Sequence, residues 1–196
     1  MGLPNYPTLG EKLSKPIFDV STKLEEADRY LSWEEAKKIA GLTADEVTNV
    51  KATLSSVNDV ISQIASGAGL ENEDGKIELA FDNKRRLIIV DVVGTLDECR
   101  FTYNGIHVSK EIARQFYKRT GWDKDVEEAK KTAEAKGVKD WRMICKSRPP
   151  RLDPQLKVII AEMYRAAANE LTGRKLFDSP SLKEAIEKYR EYAGET

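Results

Sequence analysis

Residues 74–93 read DGKIELAFDNKRRLIIVDVV, and the fold turns on how this stretch pairs with itself. Asp74, Lys76 and Glu78 alternate with Gly75, Ile77 and Leu79, a period of two that predicts a strand over 74–81. Asp82-Asn83-Lys84-Arg85 is turn-like, and LIIVDVV (87–93) is a β-branched run of the kind buried on both faces of a sheet. The two segments are expected to form an antiparallel hairpin. A carboxylate inside a buried strand costs several kcal/mol unless it is partnered, so Asp91 needs a cation or donors beside it. A four-residue loop, 82–85, sets Phe81 opposite Arg86 and Lys76 opposite Asp91. One face then carries Asp74, Lys76, Glu78 and Asp91. Three carboxylates and an ammonium are the composition of a Mg²⁺-phosphate site, where hard oxygens hold the metal and lysine meets phosphate. A loop of odd length puts Asp91 on the other face. The plain alternative is a carboxylate paired with a lysine or a backbone amide.

Just beyond comes Gly94-Thr95-Leu96-Asp97-Glu98-Cys99-Arg100. Gly94 permits an unusual backbone angle, and Asp97 and Arg100 lie in the kind of loop that carries substrate contacts. Arg100 suits a bidentate contact to carboxylate or phosphate, although the spacing equally allows a plain ion pair between Asp97 and Arg100.

The rest of the chain is mostly helical. Residues 1–20 hold Pro4, Pro7 and Pro16 with Gly2 and Gly10, show no period, and predict an extended lead-in. Ser32 and Glu35 form a capping box for a short helix that Gly41 closes. Thr43 caps a longer helix with Val47, Val50, Leu54, Val57, Ile61 and Ile64 in one apolar stripe, ended by Gly67 and Gly69. Ser109 opens a helix with Ile112, Phe116 and Arg119 along it, and a charged helix ends at Gly137. KSRPPRLDP (146–154) is a connector, and Pro154 starts a long helix with Leu156, Ile159, Ile160, Met163 and Ala167 on one face. Gly173 closes it, and 181–192 is a last amphipathic helix. The expected class is α+β: an antiparallel hairpin or sheet carrying the site, packed by several helices.

Composition narrows the compartment and the partners. Of 196 residues, 33% are charged and 40% belong to the set AVILMFWYC, as in a globular protein rather than a disordered one. Lys and Arg total 32 against 33 Asp and Glu, which argues against bulk attraction to nucleic acid or anionic lipid. No apolar run approaches the roughly 20 residues that span a bilayer, and MGLPNYPTLG has no signal-peptide core. Cys99 and Cys145 form no metal-ligand spacing and fit a reduced compartment, and the single histidine, His107, excludes multi-histidine zinc sites. A cytoplasmic protein without membrane or nucleic-acid partners is expected.

Two family likenesses bear on function. VDVVGTLDE resembles the first motif of the haloacid-dehalogenase phosphatases, DxDGT. Val93 stands where that family places its general acid, and it cannot carry a proton. The stronger resemblance is to SAICAR synthetase, a purine-pathway ligase. KPIFDVSTKLEEADRYLSWEEA (15–36) resembles that family's P-I-x-x-x-(S/T)-T-K segment. DGKIELAF (74–81) resembles D-x-K-x-E-F, and DVVGTLDECRF (91–101) resembles D-E-(V/I)-x-(T/S)-P-D-x-x-R-(F/L). The likeness continues through VSKEIARQFYKRTGW and AEMYRAAANELTGRKLF, covers about residues 14–178, and looks closest to a long archaeal form.

In that family ATP phosphorylates the carboxylate of carboxyaminoimidazole ribonucleotide (CAIR), and the amine of L-aspartate displaces phosphate to form an amide. The resemblance implies Glu78 and Asp91 as ligands of the nucleotide's Mg²⁺, and Asp74 and Lys76 as catalytic residues near the CAIR carboxylate. It implies Asp97 and Arg100 as contacts to the ribonucleotide, with Lys23 and Asp28 in the segment that closes over CAIR and aspartate. It also implies an ATP-grasp-like C-terminal lobe over 21–196, with 1–20 as an interlobe linker. Val92 replaces the family's usual Glu and Leu96 its usual Pro. No glycine-containing phosphate loop precedes residue 15, so the expectation is that a separate N-terminal ATP-binding chain or segment completes the site. The alternatives are an inactive fragment and a repurposed nucleotide-binding or interaction module. On the first two readings the chain alone ligates CAIR and aspartate negligibly.

Overall fold

A computed structural model describes residues 7–8, 10–23, 25 and 29–194. In chain order the elements are β1 (Val20–Ser21), β2 (Tyr30–Leu31), α1 (Trp33–Ala40), α2 (Ala44–Gly67), β3 (Glu71–Gly75), β4 (Leu79–Phe81), β5 (Leu87–Ile89), β6 (Cys99–Tyr103), β7 (Ile106–Val108), α3 (Glu111–Arg119), α4 (Trp122–Lys136), α5 (Pro154–Thr172) and α6 (Leu182–Ala193). The architecture is α+β, with small antiparallel sheets and helices. The chain divides into two compact units, residues 1–59 with 78–91, and residues 60–77 with 92–196. Among the described residues, no helix is long and apolar enough to cross a membrane.

In the first unit β1 pairs antiparallel with β2. α1 starts on the predicted capping box: the Glu35 amide donates to the Ser32 hydroxyl, and the Ser32 amide donates to the Glu35 carboxylate at 2.8 Å. Thr43 and Glu46 repeat the arrangement for α2. Along α2, which leaves the first unit after Asp59, the stripe from Val47 to Val57 is half-buried and Ile61, already in the second unit, is buried. Ile64 is 47% exposed, and Ala65, one helical turn past Ile61, takes the buried position instead.

The hairpin differs from expectation in three ways. The strand predicted over 74–81 is two strands, β3 and β4, separated by irregular residues 76–78, where the chain passes from one unit to the other. β4 and β5 pair Leu79 with Ile89 and Phe81 with Leu87, so the loop is 82–86, five residues, and the register is one residue out of step with the predicted one. The cause lies in the turn. The Arg85 amide donates to the Asp82 carbonyl, Arg85 adopts φ 59, and the Asp82 amide then reaches the Arg86 carbonyl, a turn followed by one left-handed residue. Asp82 Oδ1 accepts from the amides of Lys84 and Arg86, both at 2.8 Å, and Arg85 grips Glu46 through two 2.7 Å hydrogen bonds. These contacts offset the cost of a non-glycine residue at positive φ. Finally, 87–93 is not buried on both faces: Ile88, Ile89, Val90 and Val92 are 44–56% exposed, because β5 has β4 as its one neighbour in a two-stranded sheet.

In the second unit the sheet order is β3-β6-β7, all antiparallel. β6 and β7 are joined by Asn104 and Gly105 at φ 49 and 80, a two-residue turn with both centres left-handed. Cys99, Phe101 and Val108 are buried at 2% exposure or less, and they pack in the unit that also buries Ile112, Leu156, Met163, Ala167 and Ile186. Alternation puts Arg100, Thr102 and His107 on the sheet's other face. α5 begins with Pro154, as predicted, and Asp153 caps it by accepting from the Leu156 amide at 2.9 Å.

Candidate functional site

Several of the sequence-predicted residues meet in pairs within each unit. In the first unit Lys23 forms an ion pair with Glu78, whose side chain is 18% exposed. Asp91 is exposed and lies in the bend after β5, where the strand ladder no longer dictates its direction. The four-residue face of Asp74, Lys76, Glu78 and Asp91 derived from a continuous hairpin is therefore not what the strand register builds. Asp28 lies outside the described residues. Among the described residues, no group of three His, Cys, Asp or Glu side chains gathers as a metal site.

In the second unit Asp74 and Arg100 stand opposite one another on β3 and β6, and Arg100 Nη1 donates to Asp74 Oδ2 at 2.5 Å. The partner of Arg100 is thus Asp74 and not Asp97. Lys76 Nζ lies 3.3 Å from Glu98 Oε2. Asp97 follows Gly94, at φ 72, and the buried Leu96, in a turn closed by the Cys99 amide on the Thr95 carbonyl. Its Oδ1 accepts a 3.0 Å hydrogen bond from the Tyr164 hydroxyl on α5. Burial first, and Asp97 second, push the Tyr164 phenol well above its ordinary range, so it remains a donor.

Sequence reasoning missed a cavity of about 360 Å³ lined by Glu73, Arg100, His107, Glu111, Arg114 and Lys118. Glu111, with a side chain 14% exposed, is its centre: Arg114 lies 3.3 Å from it, Lys118 3.8 Å and Arg100 3.9 Å. A bulge between Asn72 and Asp74 brings Glu73 in, 3.9 Å from His107 Nδ1. The signal was present, since 111, 114 and 118 share one helical face directly after the strands that carry Arg100 and His107. Three cations and two carboxylates line it, and a third carboxylate, Asp74, is bound to Arg100, so the cavity offers an anion guanidinium and ammonium donors without an excess of positive charge.

The SAICAR synthetase family profile matches residues 3–133, more than half of the chain. A protein of Archaeoglobus fulgidus, provisionally named phosphoribosylaminoimidazole-succinocarboxamide synthase, is 46% identical over 93% of this chain and 53% of its own length. The enzyme of that name from Thermoplasma acidophilum is 34% identical over 89% of this chain and 58% of its own. The chain thus spans about half the length of the curated relatives it matches. The fold agrees with a Type-2 SAICAR synthetase in complex with ADP (TM-score 0.59, 20% identity, 89% of this chain and 57% of that one) and with the Pyrococcus horikoshii enzyme (TM-score 0.58, 19% identity, 89% and 59%). The haloacid-dehalogenase likeness of 90–98 has no place beside these matches. With its three motifs in order and its fold shared, the chain belongs to the SAICAR synthetase family.

Proposed function

We propose that the chain supplies the C-terminal half of the active site of an ATP-dependent ligase that joins CAIR and L-aspartate, giving SAICAR, ADP and phosphate. The observation that carries this is the placement of Arg100. It is a motif residue salt-bridged to the motif residue Asp74, and it lines a cavity with the cations Arg114 and Lys118. Such a cavity suits the phosphate of a ribonucleotide, with the arginines as bidentate donors. Asp97, held by Tyr164, is an acceptor for substrate N–H or O–H groups.

The reaction forms an acyl phosphate on the CAIR carboxylate and breaks it when the aspartate amine attacks, with inorganic phosphate leaving. Lys76 would lie near that carboxylate and oppose the negative charge that develops during transfer, and Asp74 would orient Arg100 and the substrate. Lys23, with Asp28, belongs to the segment that closes over CAIR and aspartate. Glu78 and Asp91 offer hard carboxylate oxygens, and Mg²⁺ needs few protein ligands when nucleotide phosphates and water fill its shell, so this pair fits the ion. When bound, Mg²⁺ would neutralise the transferring phosphoryl group. A family relative held in complex with ADP supports nucleotide use here.

An ATP-grasp-like lobe over 21–196, entered by a linker over 1–20, is part of the same proposal, as is an N-terminal ATP-binding portion that completes the site. A cytoplasmic location follows from the metabolic role. The test is calorimetric binding of CAIR to the purified chain, paired with an assay for SAICAR by mass. CAIR binding that Arg100→Ala and Lys76→Ala weaken, with negligible turnover by the chain alone, is expected. Absence of CAIR binding overturns the substrate assignment, and robust turnover by the chain alone overturns the need for a second portion.

A further inference from the structure

His107 is the chain's single histidine, and the motifs of the proposed site do not use it. It sits on β7 between Ile106 and Val108, both buried, and pairs across the ladder with Thr102. Its side chain is 28% exposed and lines the cavity of Arg100, Glu111, Arg114 and Lys118. Its Nδ1 is buried without a hydrogen bond, and Glu73 Oε2 lies 3.9 Å away. A neutral ring with its proton on Nδ1 and a protonated ring both aim a donor at Glu73, and both leave room for a closer contact there. A protonated one turns that approach into an ion pair and adds a cation to the lining.

The charged groups around the ring are Glu73 from β3, Arg100 from β6, and Glu111, Arg114 and Lys118 from α3, with Asp74 of β3 salt-bridged to Arg100. With a neutral ring, Arg100, Arg114 and Lys118 are matched by Glu73, Glu111 and the Asp74 carboxylate bound to Arg100, which leaves no positive charge in excess to meet a dianion. We propose that His107 is the fourth cation of this cavity and takes up a proton when a dianionic phosphate, free or as a sugar monoester, binds there. This rests on the proposed anion role of Arg100 and adds to it the group that makes binding depend on pH. A proton taken up with the anion makes phosphate binding tighter at pH 6 than at pH 8, although phosphate itself becomes more anionic over that range.

One histidine gives one set of imidazole proton resonances, so the unmodified full chain can be titrated directly by NMR with inorganic phosphate and, separately, with ribose 5-phosphate. Both ligands should shift the His107 resonances saturably. Calorimetry at pH 7 in two buffers of different ionisation enthalpy should show uptake of a proton on binding. His107→Gln should bind either ligand about tenfold more weakly at pH 6 and abolish the uptake. Tighter binding of ribose 5-phosphate than of phosphate assigns the cavity to a nucleotide's sugar phosphate. Equal binding assigns it to free phosphate. If phosphate binds and Arg114→Ala weakens it, yet the His107 resonances and the proton count stay still, the role of His107 is overturned while the anion cavity stands. If neither ligand perturbs the chain, the anion role of Arg100 fails along with it.

Discussion

At the scale of single residues, the two cysteines show how burial sets chemistry. Cys99 is 2% exposed, and burial pushes its thiol up to about 11, with Asp74 and Glu98 adding to the rise. Cys145 is only half-buried. At pH 8 the thiolate fraction of Cys99 is about a thousandth, so iodoacetamide should label Cys145 first and reach Cys99 only on unfolding, as peptide mass mapping can resolve. Equal labelling of both in the folded chain would contradict the placement of Cys99. A second residue-scale effect comes from Glu46. Its two hydrogen bonds to Arg85, and then the Thr43 amide, pull its carboxyl down to about 2 from 4.5. A depressed folded value means the unfolded chain binds the extra proton first. The contribution is therefore complete above about pH 4.5 and is lost as pH falls toward 2. Thermal melts between pH 5 and 2.5 should fall more steeply for the native chain than for Glu46→Gln, and parallel curves would contradict the pairing.

At the scale of elements, Gly75 marks a close approach of β3 to β6. A Cβ at Gly75 would stand 2.8 Å from Cys99 Sγ, its cross-strand partner. Gly75→Ala should destabilise the second unit by about 1–3 kcal/mol in urea melts, the usual cost of overpacking. The double variant Gly75→Ala/Cys99→Ala should lose less than the sum of the two, because removing the sulfur makes the room the new methyl needs. Strict additivity would deny the contact. The same pairing explains what was legible in the sequence. Helix ends were readable because their causes are local: Ser32 with Glu35, Thr43 with Glu46, Asp153 before Pro154, and glycines at 41, 137 and 173. The strands were not, because Asp74 and Gly75 pair with β6, some 25 residues away, whereas pairing with the run that follows begins only at Glu78, whose carbonyl accepts from the Val90 amide. Loop parity turned on Arg85 at positive φ, a conformation that residue type does not advertise. Asn104-Gly105 was a readable hairpin turn, and it is the signal that would have revealed β6, β7 and His107.

At the scale of the whole chain, the motif residues were legible as types, but they are shared between two units: Glu78 and Asp91 belong to the first, Asp74, Lys76, Asp97 and Arg100 to the second. The units differ in what holds them. Nearly all the fully buried apolar residues, from Ile61 through Phe101 to Tyr189, lie in the second, whereas among the described residues of the first Ala36 alone reaches that class. The first unit also leaves Ile88, Ile89 and Val90 about half exposed. Ordering a backbone residue costs roughly 1–2 kcal/mol, and little buried apolar area offsets that cost in the first unit. The tryptophans divide the same way, Trp33 in the first unit and Trp122 and Trp141 in the second. Trp33 is held by a 3.2 Å hydrogen bond to the Phe18 carbonyl and by the Lys51 ammonium 4.6 Å above its ring, so its emission reports the order of the first unit. In urea, a Trp122→Phe/Trp141→Phe variant, with Trp33 as its one indole, should lose structure at lower denaturant than a Trp33→Phe variant followed through the other two. Coincident transitions would show that the first unit is as stable as the second despite its thin core. A Trp33 transition that moves up toward the other when CAIR or ATP is added would show that ligands, rather than buried apolar area, order the unit that holds Glu78 and Asp91.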